Sequence, residues 1–457
     1  MEYFENAQAD INIVEYFFWK IEQHKFSYDQ YKEHTNFNNK LNQCKNKHPN
    51  NENYKNSLLN FKSSDVKKEK KLFWKLLGNI KDIKIELIPI LKKIHEISKY
   101  REMAFPWKNI KDPFIEHIEG LNFSHAKHIQ PYSPVISYII DLDGVVPWSK
   151  SIGSVPLPKI HNYELCSKIV SYIEKNFQET SCLLPNPDFN DEIDYFMCRR
   201  ALEDLKGVWD SKEYLNRKFG DNTINEGTFL RDFDFILKLT AKLKKLNLEW
   251  AEKMSTSSEF RLKQYNRTGK KPDAMATYQI ESNFFFELLF MEAAALFLKD
   301  DAKKEGDRTK LIRLANDSKY FLLKKINENY PTITLLQIKE LMEVPVICYQ
   351  FYGSRLKIFY FDQPYAYKEI STLIPIGRVV CIEDFALPLE QPEDSADTIL
   401  LIRSIFRVKS ILENSIKRIK KVMTELKTNN ISSVKIRSSD NQIYQTTVDS
   451  LCYYDES

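Results

Sequence analysis

Two carboxylates, Asp273 and Glu292, stand at the ends of two neighbouring predicted strands. Asp273 follows Pro272 and opens the predicted strand 274–279, and Glu292 lies near the end of the very apolar predicted strand 284–294. A hairpin brings the start of its first strand beside the end of its second. Carboxylate oxygens are the ligands that hard divalent cations such as Mg²⁺ favour. The pair is therefore a candidate site for a divalent metal ion, which can polarise a substrate oxygen and activate a water molecule.

The alternation of side chains along a strand selects Glu292 as the partner of Asp273. Successive side chains point to opposite faces of a strand. On that basis Glu292 shares a face with Phe290 and Ala294, whereas Glu287 points to the opposite face. We therefore expect Glu292, and not Glu287, to complete the site.

The Pro-Asp step, the apolar strand and its Glu together resemble the PD-(D/E)XK, or restriction-endonuclease-like, nuclease superfamily. The resemblance covers residues 225–390 and implies an αβββαβ core. It also implies a catalytic metal site made by Asp273 and Glu292, with Mg²⁺ or Mn²⁺ as cofactor and nucleic acid, either DNA or RNA, as partner. Glu226, near the start of the preceding helix, resembles a helical carboxylate that many members add to this site. A first-turn acid favoured by the helix dipole is the alternative interpretation of Glu226.

The signature lysine of this family is absent. It would stand two residues after the Glu, where the chain has Ala294. In the family this lysine positions the attacking water and offsets charge that builds on the phosphate. Some members supply it from another element, often the following helix, and the local candidates are Lys303, Lys304 and Lys310. A solvated run of charges is the alternative interpretation of the three. We take Lys310 as the candidate catalytic lysine.

A basic segment, Ser255–Lys271, precedes Asp273 and is expected to be a loop beside the metal site. Cations with an interleaved aromatic can bind a phosphate backbone and stack a base. A flexible, solvated loop is the alternative interpretation. The candidate nucleic-acid-binding residues are Arg261, Lys263, Arg267, Lys270 and Lys271, with Tyr265 among them.

Three other functions compete with an active nuclease. The first is a catalytically inactive nuclease-like scaffold or interaction module, which Ala294 favours. The second is a haloacid-dehalogenase-like phosphatase, because Asp141-Leu-Asp143-Gly follows an apolar run and resembles that family's first motif. Its later motifs are missing from the sequence. The third is a zinc site at His125-x-x-His128, for which no further ligands stand at a convincing spacing.

The composition limits the function classes. Only 11 glycines are present, and neither a P-loop nor a G-x-G-x-x-G motif occurs. The net charge of +4 permits a local basic face without requiring one. Seven well-separated cysteines are typical of reduced thiols. We expect neither a secretory signal nor a membrane span, and place the protein in the cytoplasm or nucleus.

At 457 residues the chain is expected to contain two or three domains, with an α+β fold overall. Hydrophobic spacing changes from a helical period to apolar strand runs near Leu248. The predicted domains are a mainly helical part at 1–210 with a polar, Asn/Lys-rich insert near 36–65, a nuclease-like core at 211–395, and a C-terminal helix and tail at 396–457. The main predicted elements are a short strand at 135–140, helices at 162–178, 226–246, 307–329 and 397–423, and a hairpin at 345–361 joined at Gly353-Ser354.

Overall fold

The computed structural model describes sixteen stretches of the chain. They are residues 2–5, 11–23, 25–61, 66–67, 70–71, 73–74, 103–105, 139–141, 163–177, 192–211, 226–243, 246–250, 253–263, 266–294, 301–369 and 372–432. Together they contain helices and one mixed sheet, which confirms the α+β class. Several predicted features lie outside them: Asp143, His125, His128, Tyr265 and the C-terminal tail.

Four helices are delimited in the described residues between positions 2 and 61. They are α1 (Glu2–Glu5), α2 (Ile13–Glu22), α3 (Gln30–Lys47) and α4 (Glu52–Phe61). Their shared core is aromatic, and its fully buried rings include Phe4, Tyr16, Phe17, Phe18 and Phe37. A buried ion pair crosses from α2 to α3, with Lys20 Nζ 2.5 Å from Glu33 Oε2.

Residues 36–65, which the polar composition predicted to be an insert between helices, are themselves mostly helical. Helix α3 extends to Lys47, and α4 covers Glu52–Phe61. Phe37, Leu41 and Cys44 are buried along one face of α3 at helical spacing. Three buried apolar side chains in two turns are sufficient to pack a helix whose other positions are mainly polar.

The sheet has seven strands along one path and an eighth that branches from it. The order is β2-β8-β7-β6-β5-β4-β3, and β1 pairs with β7. The strands are β1 (Met103–Phe105), β2 (Ile139–Asp141), β3 (Leu246–Trp250), β4 (Ala274–Glu281), β5 (Phe284–Ala293), β6 (Val346–Tyr352), β7 (Arg355–Glu369) and β8 (Thr372–Ala386). Gly353 has a φ of 57°, the left-handed conformation that the tight turn between β6 and β7 requires.

Strand directions divide the sheet around β5 and β6. These two strands are parallel neighbours, whereas β3, β4 and β5 form an antiparallel meander and β6, β7 and β8 form another. A parallel pair needs a crossover connection. Here that crossover contains two helices, α9 (Asp301–Asn329) and α10 (Leu335–Met342). Because α9 directly follows β5 in this crossover, its first turns lie beside the carboxyl end of β5.

The remaining helices pack with the sheet in one apolar core. They are α5 (Tyr163–Asn176), α6 (Glu192–Trp209), α7 (Glu226–Thr240) and α11 (Ala396–Ser432). The short helix α8 (Thr256–Lys263) lies outside this core. Leu202 of α6, Leu288 of β5 and Leu412 of α11 are all fully buried in this core. The core therefore continues across residues 210 and 396, where the sequence predicted domain boundaries.

Candidate metal and phosphate site

Glu292 lies at the carboxyl end of β5 and is almost completely buried. Its carboxylate oxygen Oε1 is 2.6 Å from Nζ of Lys310, which comes from α9. The Glu292 side chain is 5% exposed, and that of Lys310 is 29% exposed. On the adjacent parallel strand, Gln350 pairs with Glu292 in register and donates from Nε2 to the backbone oxygen of Lys304, at 2.6 Å. The side chain of Gln350 therefore fastens the first turns of α9 beside Glu292.

Asp273 binds the two residues on either side of Glu292. Its backbone N–H donates to the carbonyl oxygen of Met291 at 3.1 Å. Its side-chain Oδ2 accepts a hydrogen bond from the N–H of Ala293 at 2.7 Å. The antiparallel pairing of β4 and β5 thus brings the Pro-Asp step to the Glu292 end of the strand, as the sequence predicted.

The surroundings of Glu292 hold its pKa well above the ordinary value. Burial raises this pKa to about 8, and the positive charge of Lys310 acts in the opposite direction. The negative charges of Asp273 and Asp307 add to the rise. Asp307 lies one turn before Lys310 on α9, so three carboxylates and one ammonium group influence each other here. The sequence analysis missed Asp307, although its spacing of three from Lys310 places both on one helix face.

Of the three candidate lysines, Lys310 contacts Glu292. Lys304 instead lies with Nζ 5.1 Å from the ring centroid of Tyr352. Ala294, at the signature position, is fully buried, and its N–H donates to the carbonyl oxygen of Phe351 at 2.9 Å. Helix α9 therefore provides the ammonium group of Lys310 next to β5, which has alanine at the signature position.

The donor set suits a hard divalent cation. Glu292 and Asp273 offer carboxylate oxygens, and Mg²⁺ is commonly held by one or two carboxylates, with water and substrate phosphates as its other ligands. Within the described residues, no group of three or more His, Cys, Asp or Glu side chains is arranged to hold a metal.

Glu226 is the first residue of α7. One turn later, the ring of Phe229 packs against Phe351 of β6, with centroids 5.8 Å apart. Phe351 also pairs with Ala293, next to Glu292. The first turn of α7 thus packs against the strand beside Glu292, and a role of Glu226 in the site stays a prediction.

The basic segment contains a helix and differs from the predicted loop. Residues 256–263 form α8, and the buried Arg261 pairs through Nε with Oδ1 of Asp317 on α9, at 2.6 Å. Arg261 therefore departs from its predicted role, because its guanidinium holds two helices together. Lys263, Arg267 and Lys271 are exposed, and Lys270 is half-buried.

Strict alternation along β5 is also wrong. Ala276 of β4 pairs with Leu289, but Thr277 pairs with Glu287, so Leu288 is the extra residue of a β-bulge. The carboxylate of Glu287 contacts the start of α8, which packs on α9. Glu287 and Glu292 consequently both face the layer formed by these two helices.

Asp141 of the phosphatase-like motif is held in a structural ion pair. Its Oδ2 lies 2.5 Å from one terminal nitrogen of Arg308, and its Oδ1 accepts from the other at 2.7 Å. Arg308 also lies 5.7 Å from the ring centroid of Phe359. This two-point contact fastens β2 to α9 and leaves Asp141 in no position to act as a free nucleophile.

Comparisons with protein-family models, curated proteins and solved structures gave no match to this chain. Among the helices of the described ranges, none is both long enough and apolar enough to cross a membrane.

Proposed function

We propose that this protein engages nucleic acid through a PD-(D/E)XK-like core and hydrolyses phosphodiester bonds with Mg²⁺ or Mn²⁺. The contact between Lys310 and Glu292 carries the proposal, because it places a cation beside the carboxylate at the edge where Asp273 is anchored. The order α7, β3, α8, β4, β5, α9, α10, β6 gives further support, since it contains the αβββαβ order of that superfamily with two added helices, α8 and α10.

Each residue has a chemical task in this proposal. Asp273 and Glu292 would hold the ion, which when bound polarises a phosphoryl oxygen and activates a water molecule. Asp273 is suited to this because the Ala293 N–H fixes one of its oxygens and orients the carboxylate. Lys310 would offset the charge that develops on the transferred phosphoryl group, as positioned cations do in such sites. Lys263, Arg267, Lys270 and Lys271 would bind the phosphate backbone and hold the strand in register.

A catalytically inactive nuclease-like protein is the second candidate, and one specific observation favours it. The Glu292 side chain is 5% exposed and already lies beside the ammonium group of Lys310, so its carboxylate has a cationic partner without a metal ion. A protein of that kind would bind nucleic acid through the same exposed basic residues and leave it intact.

Cleavage assays distinguish the two candidates. Single- and double-stranded DNA and RNA would be incubated with the protein in Mg²⁺, in Mn²⁺ and in EDTA. An active enzyme should cut at least one substrate with either metal, and both Asp273→Asn and Glu292→Gln should abolish cutting. Glu393→Gln is the matched control, because Glu393 is an exposed carboxylate in the segment before α11. Cleavage that survives both Asp273→Asn and Glu292→Gln would remove the proposed site, and salt-dependent binding without cleavage would favour the second candidate.

A further inference from the structure

Glu287, the other carboxylate of β5, is 4% exposed and surrounded by hydrogen-bond donors. It accepts from the Ser255 hydroxyl at 2.9 Å and from the Thr256 N–H at 2.7 Å, and also from the Ser257 hydroxyl. Thr256 is the first residue of α8. Glu287 therefore caps α8 from a different element, where an acceptor satisfies a free N–H group and a negative charge interacts favourably with the helix dipole.

The same end of α8 is bonded to the segment that leads into Asp273. The N–H of Ser255 donates to the carbonyl oxygen of Lys270 at 3.0 Å, and the N–H of Lys270 donates to the hydroxyl oxygen of Ser258 at 2.9 Å. Next to Lys270, a Cβ on Gly269 would lie 2.8 Å from the backbone nitrogen of Glu259, so the segment passes directly against the helix. These contacts form a clamp between residues 255–259 and residues 269–270. Pro272, whose ring restricts its φ, connects this clamp to Asp273.

We infer that Glu287 is a positioning residue that fixes residues 255–263 and 266–271 and, through them, the carboxylate of Asp273. The basic residues Lys263, Arg267 and Lys270 lie on the same segment and are positioned with it. The expected effect of Glu287 on metal binding rests on the proposed function, whereas its expected effect on the order of these residues does not. The two carboxylates of β5 would then have different roles. Glu292 would bind the metal ion, and Glu287 would hold the residues that lead into Asp273.

The physical reason is preorganisation. Hydrogen bonds to a carboxylate are about twice as strong as those between neutral groups, so Glu287 contributes more to the clamp than a neutral acceptor would. Without it, the segment would have to be ordered when a metal or a phosphate binds, and that ordering opposes binding. Arg261 and Asp317 hold the other end of α8, so loss of Glu287 should free the start of the helix and the segment 266–272 more than the helix end.

The test compares Glu287→Gln with Ser318→Ala. The Ser318 hydroxyl donates to the backbone oxygen of Glu287 at 2.6 Å, so its removal weakens the same point of β5 without touching the carboxylate. Full-length variants would be followed by hydrogen exchange at the Lys270 and Ala293 amides and by calorimetric titration with Mn²⁺. Glu287→Gln should accelerate exchange at both amides and weaken Mn²⁺ binding by about tenfold, as loss of an outer-shell partner does. Ser318→Ala should lower the melting temperature and change neither of the other measurements.

Equal exchange at these amides in the two variants would overturn the inference, because Glu287 would then contribute only to stability. If the wild-type protein binds no Mn²⁺, the metal site fails, but the exchange comparison still decides the role of Glu287. Should Glu287→Gln fail to fold, Ser257→Ala removes a single donor to the carboxylate and should give a smaller change in the same direction. Unchanged exchange at Lys270 in that variant would likewise count against the inference.

Discussion

The ammonium nitrogen of Lys310 lies 2.6 Å from Oε1 of Glu292, so that α9 supplies the positive charge that β5 lacks at Ala294. The relationship is possible because α9 begins shortly after β5 ends and crosses back over the sheet to reach β6. A lysine in the third turn of such a helix can reach the carboxyl end of the strand.

Replacing Lys310 with Met tests whether this ammonium group takes part in the chemistry. We expect cleavage to fall by about 10²–10⁴-fold, a typical contribution of one positioned catalytic group. Loss of the ammonium group should raise the pKa of Glu292 further above about 8, so Mn²⁺ must displace a proton from Glu292 and its affinity should increase with pH. Lys304→Met is the control, since Lys304 lies over Tyr352 instead. Single-turnover cleavage rates that match the wild type would exclude a catalytic role for Lys310.

Nucleic-acid binding should depend on the exposed cations of the basic segment. Alanine at Lys263, Arg267, Lys270 and Lys271 removes the cations expected to contact phosphate. Each lost contact should reduce the slope of log affinity against log salt by about 0.7–0.9. The measurement is fluorescence anisotropy over a salt series. A variant with alanine at Lys55, Arg199, Arg200 and Lys238, which lie outside the basic segment, removes the same charge and should keep the wild-type slope.

Arg261 should matter for stability and not for ligand contact. Arg261→Met leaves Asp317 without its buried partner, and breaking such a pair costs roughly 3–5 kcal/mol of unfolding free energy. Burial already raises the pKa of Asp317 to about 6 against the opposing charge of Arg261. Urea unfolding measures the loss, and the double variant Arg261→Met, Asp317→Leu should recover most of it. A single variant as stable as the wild type would show that the pair contributes little.

The N-terminal helices should lose stability on acidification. Burial and the nearby charge of Lys70 lower the pKa of His34 to about 4, although Glu33 acts to raise it. His34 stacks on Phe17, and its Nε2 accepts from the indole N–H of Trp74 at 3.3 Å, which requires the neutral ring. Between pH 6.5 and 4 the unfolded chain binds a proton that the folded state excludes, so stability is full above this window and decreases as pH falls through it.

Hydrogen exchange of the α3 amides over that pH range, corrected for intrinsic rates, reports this effect. His34→Gln keeps an acceptor and cannot titrate in this range, so its α3 protection should vary less with pH than that of the wild type. Identical pH profiles for the two proteins would assign the acid sensitivity to other groups.

Local sequence pattern was sufficient for the elements whose apolar periodicity is strong. The strand predicted at 284–294 is β5, and the helix predicted at 307–329 lies within α9. The hairpin at Gly353-Ser354 was also predicted, because a positive φ is readily adopted by glycine. The sequence also predicted that Asp273 and Glu292 lie close together. In a hairpin the start of the first strand pairs with the end of the second, so this follows from chain order alone.

Only the tertiary structure decided which charged side chains serve as partners. Nothing in the spacing of Arg261 separates it from Lys263, yet Arg261 is buried against Asp317 because α8 packs on α9. The role of Glu287 depends on a β-bulge at Leu288, which interrupts the alternation that the sequence suggests. Ion pairs and bulges depend on contacts between distant segments. The period of one segment sets which face it buries, and the packing of several segments sets which charges meet.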